Sequence, residues 1–399
     1  MKEPDRTRKN HGPRATLCYE QLVIANEARR VALDVTPLVG VRTGIGTAVA
    51  EILKSLQELQ TAPVLLPYAL SRSARSHSDT LPTGTHFSPW PARVLLTAWA
   101  HLDFPRIDGS LGEPHVIHAT NYLVPPSKYP TLVSVYDCSF LRYPELCTPE
   151  VRALAPVLRR AISRGAFVHT ASEFVAAEIE ELLGPGLRNS ERLAVVPLGI
   201  PPLGPPVDHS ASVRELLGGH PYVLALGMME PRKNLPHLVS AFGTLAAERS
   251  DVHLVLAGPD GPARPDVDSA IARLDATIRP RVVLCGPVSD IDRQALLHNA
   301  RVLAYPSIYE GFGFPLLEAM TAGVPIVAAR AGSIPEVAGD AALLVEPTDE
   351  IALASSIERL LEEDDTRTQL IARGHARVFD FSWEKTATGL SDLYHRLAP

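Results

Sequence analysis

Two carboxylates and a pair of adjacent cations are the side chains of this sequence best placed to do chemistry. Glu310 and Glu318 bracket the string Glu310-Gly-Phe-Gly-Phe-Pro-Leu-Leu-Glu318, with seven residues between them. The run "RVLAYPSIY" before it is apolar and reads as a buried parallel strand. The run "PLLEAMTAG" after it reads as a helix, with Pro315 in its first turn and Gly323 at its end. Glu310 is therefore expected in a loop at the carboxyl end of a strand, and Glu318 in the first turn of the next helix. Ligands of open α/β sheets bind at that edge, and a helix N-terminus there favours phosphate. Taken singly, each glutamate has a plainer reading: Glu310 as an ordinary loop carboxylate, Glu318 as an acid favoured by the helix dipole.

Arg232-Lys233 follows the strand "YVLALG", which ends at Gly227, and precedes a helix beginning near Asn234. Two cations at a strand-to-helix turn suit a diphosphate. Arginine grips two oxygens at once and lysine acts as a point charge. Near the amino terminus "RTGIG" (Arg42 to Gly46) follows another apolar strand. There Gly44 and Gly46 allow a ligand close approach to an exposed helix start.

The elements that must position these residues follow from the whole chain. It has 399 residues, 46% hydrophobic, with a net charge of −7. That length calls for two domains, and the acidic balance argues against nucleic acid as a partner. Apolar strands alternate with longer amphipathic segments, the βαβ pattern of a doubly wound parallel sheet. The stretch 197–221, "PLGIPPLGPPVDHSASVRELLGGHP", is dense in proline and glycine and reads as a linker. The expected division is an extension over 1–30, a first Rossmann-like domain over 31–200, a linker over 201–220, a second Rossmann-like domain over 221–382, and a closing helix over 383–399. Residues 1–30 show no apolar signal-peptide core, and no stretch reaches the roughly 18 apolar residues of a membrane helix. A cytoplasmic place is expected. Cys18, Cys138, Cys147 and Cys285 have no CxxC spacing and read as free thiols.

The E-x7-E string resembles the motif of retaining glycosyltransferases of family four, which have the GT-B fold. The resemblance runs in order through "RVALDVTPLVGVRTGIGTAVAEIL", "VIHATNYLVPPSKYPTLVSVYDCSFLRYPE", "VHTASEFVAAEIEELLG", "YVLALGMMEPRKNLPHLVSAF", "HLVLAGPDG", "VVLCGPVSDIDRQALLHNA" and "RGHARVFDFSWEKTATGLSDLY". It covers roughly residues 31 to 397. It implies two Rossmann-like domains facing a cleft, and transfer of a hexose from a nucleotide diphosphate sugar with retention of configuration. Arg232 and Lys233 would hold the donor diphosphate, Glu318 the ribose, and Glu310 the donor sugar. Backbone amides of Gly311, Phe312, Gly313 and Phe314 would face sugar and phosphate, with Gly227 beside them. Val288 would meet the base through its main chain, and Gly44 and Gly46 would lie over the phosphates and acceptor. Resemblance to the family's mannosyltransferases makes GDP-mannose the first donor to consider. The acceptor would be a polysaccharide, a glycolipid or a small polyol.

Other residues admit two readings. His118 ends the strand "VIH" and reads as a contact to the donor sugar or as a satisfied core histidine. Asp137 reads as a catalytic-side group or a helix cap; the chain has Tyr136-Asp137 where many members of the family have His-Asp. Asp266-Val267-Asp268 and Asp290-Ile291-Asp292 are expected just ahead of helices, not at a metal, and no metal is expected to be required. Near Trp90, residues Val94, Leu95, Leu96, Trp99 and Leu102 give an apolar stripe that reads as a core or interdomain helix, or as a peripheral contact with a membrane or lipid-like acceptor. Two rival functions remain at this level. One is a GT-B sugar-nucleotide epimerase, which needs no acceptor. The other is a two-domain sugar-binding protein without catalysis.

Overall fold

A computed structural model describes residues 29–40 and 43–398. Arg42, Cys18 and most of the expected extension lie outside them. The chain forms two parallel sheets. The first, in spatial order β3-β2-β1-β4-β5-β6-β7, holds β1 (Arg30–Asp34), β2 (Val64–Ala69), β3 (His86–Phe87), β4 (Val116–Ala119), β5 (Thr131–Ser134), β6 (Phe167–Thr170) and β7 (Leu193–Val195). The second, in order β10-β9-β8-β11-β12-β13, holds β8 (Tyr222–Leu226), β9 (His253–Ala257), β10 (Val282–Gly286), β11 (Val302–Tyr305), β12 (Ile326–Ala329) and β13 (Leu343–Val345). Both are doubly wound, with the first strand of each half central and the order reversing beside it, which creates a crevice at the carboxyl ends.

The strands form because they are short apolar runs covered by helices on both faces. β8, β11 and β12 are buried at every residue. The turns form for local reasons as well. Gly323 takes a left-handed φ of 69° after the helix Phe314–Ala322, and Thr43 caps the helix Gly44–Glu58 by accepting from Gly46 N.

The stretch 197–221 contains the short helix Ala211–Leu217. The closing helix Trp383–Leu397 lies on the first domain. Trp383 Nε1 donates to Ile200 O at 2.7 Å, Thr386 Oγ1 donates to Pro197 O at 2.8 Å, and the Tyr394 hydroxyl meets His118 Nδ1 at 2.8 Å. No helix among the described residues is long and apolar enough to cross a membrane. Cys138, Cys147 and Cys285 are free thiols.

Candidate active site

Glu310 follows β11 in a loop at the carboxyl edge of the second sheet. It is 6% exposed. Its Oε1 accepts from Lys233 Nζ at 2.6 Å and its Oε2 from Arg232 Nη1 at 2.8 Å. Both cations come from the turn Pro231–Lys233, which Asn234 closes with a left-handed φ of 55° ahead of the helix Leu235–Glu248. Arg232 also bridges to Glu230 at 2.6 Å. Lys233 also donates to the Tyr305 hydroxyl at 3.2 Å, with its ammonium 4.8 Å from the centre of that ring. Burial pushes the Glu310 carboxyl up, but Lys233 and Arg232 outweigh it and hold the group at about 2. Burial lowers the Lys233 ammonium against the pull of Glu310. Burial also works against the Arg232 charge, but Glu310, Glu230 and Asp137 together keep it above the ordinary arginine value.

Glu318 is 2% exposed and is paired with Arg293 from the helix Asp290–His298. The helix carrying it starts at Phe314, so Glu318 is its fifth residue and lies past the first turn expected from sequence. Gly313, at φ 107°, ends the loop early and places Pro315 second in the helix. Burial opposes the Arg293 charge, and Glu318 restores it to above its ordinary value.

The loop between the two glutamates is pressed between the domains. A Cβ on Gly311 would lie 1.8 Å from the Tyr136 carbonyl oxygen and 2.9 Å from Asp137 Cβ, so only glycine fits there. Ser333 is fully buried; its Oγ donates to the carbonyls of Glu310 and Phe312, both at 3.0 Å. Phe312 and Phe314 meet edge to face, and Phe314 lies 3.8 Å from the Cβ position of Gly44, at the start of the first domain's leading helix. The glycine-led helix and the Glu310 loop thus confront each other. Gly46 lies in the first turn of that helix, while Gly227 directly follows β8 with a Cβ position 3.7 Å from Lys233 Cε. Val288 precedes the helix that bears Arg293 and packs against the core.

His118 is not in this group. It is 0% exposed, with Nδ1 against Tyr394 and Nε2 2.8 Å from Ser134 Oγ. Ser134 continues to His169, whose Nε2 meets Val196 O at 3.0 Å. Both His118 nitrogens are taken up, one by Tyr394 of the closing helix and one by Ser134 of β5, and of its two readings this favours the core histidine. Asp137 stands beside Gly311, yet its Oδ1 accepts from Ser139 N and Oγ at 2.9 and 2.7 Å. That is an Asx turn one residue ahead of the N-cap Cys138, within reach of the Arg232 charge. The two D-x-D strings lie within helices rather than ahead of them: Asp266 and Asp268 in Arg264–Arg273, Asp290 and Asp292 in Asp290–His298. Asp268 is paired with Arg264 at 2.9 Å.

Sequence reading missed Glu230, Arg293, Tyr305, Tyr309 and Ser333. Only Glu230 carried a local signal, standing two residues before Arg232. A cavity of about 290 Å³ lined by Arg159, Leu183 and Arg192 lies apart from all of these.

Two facing doubly wound domains, with a cation pair and two buried carboxylates on the second, define a GT-B enzyme. The fold is similar to that of Anabaena Alr3699/HepE, solved in complex with UDP and glucose: the TM-score is 0.68 at 18% identity, covering 92% of this chain and all of that one. Residues 211–377 match the family model of glycosyl transferases group 1. O-antigen chain mannosyltransferase B of Escherichia coli is 31% identical over 306 residues, 75% of this chain and 77% of that protein. MMP alpha-(1->4)-mannosyltransferase of Mycolicibacterium hassiacum is 34% identical over 230 residues, about half of each chain. The chain belongs to the group 1 glycosyltransferases and is a hexosyltransferase.

Proposed function

We propose that this enzyme transfers mannose from a nucleotide diphosphate donor, GDP-mannose first, to a glycan acceptor with retention of configuration. The observation that carries the reading is the Glu310 carboxylate held between Lys233 and Arg232 at the edge where the domains meet. Two cations there match the two charges of a departing diphosphate. The bond from the anomeric carbon to the diphosphate oxygen breaks through an oxocarbenium-like state. The acceptor oxygen bonds to that carbon on the same face, and its proton leaves with the diphosphate. Arg232 and Lys233 turn toward the phosphates, Glu318 accepts from the ribose hydroxyls, and Glu310 receives the sugar. In this reading the cations do the work of a divalent ion, so none is required. The names of the Escherichia coli and Mycolicibacterium relatives support mannose.

A lipid-linked acceptor is the second element of the proposal. Trp99 is buried and donates to Pro105 O at 2.9 Å, so half of the expected stripe is core. Trp90, Val94, Leu102 and Phe104 remain exposed, Phe104 at 67%. They would rest on the cytoplasmic face of a membrane that carries the acceptor.

The test is a thermal-shift screen of GDP, UDP, ADP and dTDP, followed by transfer assays with the matching sugar nucleotides and NMR of the product anomer. GDP stabilisation and an α-mannosyl product support the reading. Stabilisation by another nucleotide alone replaces the donor. Interconversion of free sugar nucleotides without an acceptor would favour the epimerase, and binding without turnover the sugar-binding protein.

A further inference from the structure

Tyr309 immediately precedes Glu310, but its side chain leaves the second domain. It is buried in a socket built by the first. Tyr143 and Phe174 meet its ring edge-on, with centroids at 5.5 and 5.8 Å. Cys138 N donates to its hydroxyl at 2.7 Å, and the hydroxyl donates to Glu178 Oε2. Glu178 is itself buried, on the helix Glu173–Leu182. Its other oxygen accepts from Arg142 Nε at 2.9 Å, and Arg142 also holds Glu181 at 2.6 Å. A carboxylate buried at this depth is tolerable only with such partners, one of which the other domain supplies.

Two more contacts from the second domain land on the same helix. Glu336 accepts from Glu173 N at 2.8 Å and Phe174 N at 3.0 Å, amides of the first turn that have no partner within the helix. Ser172 caps the helix and donates to Gly311 O at 2.8 Å. Residues 309 and 311 are therefore both tied to this helix, and Glu310 lies between them. On its other side Glu310 is fixed by Ser333, and the Tyr309 carbonyl accepts from Arg232 Nη1 at 3.4 Å.

We propose that Tyr309 is a positioning residue that makes sugar transfer depend on domain closure. Seated in the first-domain socket, it sets the Glu310 backbone, and through it the Lys233–Arg232 clamp, in working geometry. With the domains apart the tyrosine loses its socket, and Glu310 is held by second-domain contacts alone. Apart from Gly44 and Gly46, the residues assigned to the nucleotide belong to the second domain, and none of them forms the socket. The inference rests on the donor-site reading above.

Tyr309→Phe keeps the ring and removes the hydroxyl. Glu178→Gln keeps an acceptor oxygen, whereas Glu178→Ala removes it. Tyr309→Phe is expected to lose about tenfold or more in kcat, with donor KM changed by less than about threefold. Glu178→Gln is expected to retain more turnover than Glu178→Ala. Hydrogen exchange over residues 306–314 should be faster in Tyr309→Phe, with β8 and β11 unchanged. Unchanged exchange at 306–314 overturns the proposal whatever the rates. Wild-type kcat in Tyr309→Phe overturns it too, as does a rise in KM with kcat intact. The exchange measurement needs no substrate. A wild-type enzyme that transfers no sugar strikes the donor-site reading, while exchange still decides the role of Tyr309.

Discussion

Lys233 Nζ lies 2.6 Å from Glu310 Oε1, so a cation assigned to the donor diphosphate is held by a carboxylate of its own site. Arg232 completes the arrangement on the second oxygen at 2.8 Å. In the proposed reading the donor exchanges these partners for phosphate oxygens. Lys233→Ala or Arg232→Ala is expected to reduce turnover about a hundredfold or more, a loss of roughly 2 to 4 kcal/mol in the transition state. Steady-state kinetics checks this, and wild-type turnover in either variant would refute the role. Glu310→Gln should lose turnover yet bind the nucleoside diphosphate product more tightly, because its cations lose their charged partner; calorimetry reads the difference.

Arg293 and Glu318 form a second neutralised pair. Arg293→Ala leaves a carboxylate buried without its cation, a cost of roughly 1 to 3 kcal/mol or more. Donor KM should rise about tenfold while kcat changes little. Nucleotide affinity measured by calorimetry should fall in parallel, and an unchanged affinity would dissociate Arg293 from the donor site.

Asp34 ends β1, and burial raises its carboxyl to about 6 despite the hydrogen bonds from Thr36. A carboxyl raised above its unfolded value of 3.8 carries no penalty below that value, and the penalty grows as pH rises through about 6. Asp34→Asn should therefore match wild type near pH 3.5 and exceed it at pH 8 by about 3 kcal/mol, from roughly two units of displacement. Urea midpoints at the two pH values test this; a pH-independent difference would contradict it.

If Arg232 and Lys233 supply the charge that a metal supplies elsewhere, as proposed, activity with purified donor should persist in EDTA. Complete loss that manganese restores would reveal a metal requirement.

Removing residues 383–399 should cost both stability and turnover. The cut would strip Trp383 from Ile200, Thr386 from Pro197 and Tyr394 from His118, exposing an apolar face of the first domain. Thermal melts and kinetics of the truncated chain check this, and normal turnover would show that the helix does not support the working site.

By itself the sequence determined where the chemistry-bearing residues fall on strands, loops and helices. The apolar run of β11, Pro315 and Gly323 placed Glu310 after a strand and Glu318 on a helix. Proline, glycine and residue periodicity likewise set Arg232-Lys233 in its turn. These signals act over a few residues, through backbone preference and the two side-chain periods, so they can be read along the chain. The small displacement of Glu318, to just past the first turn, came from the helix start at Phe314, which the left-handed Gly313 decided. The partners were decided only in the tertiary structure. His118 has the same strand-end setting as a ligand contact, yet it faces Tyr394, 276 residues away. Glu318 meets Arg293, 25 residues upstream, and Tyr309 meets Glu178, 131 residues upstream. Which distant side chains meet depends on how two sheets and their helices pack and close, and no local pattern in the chain encodes that outcome.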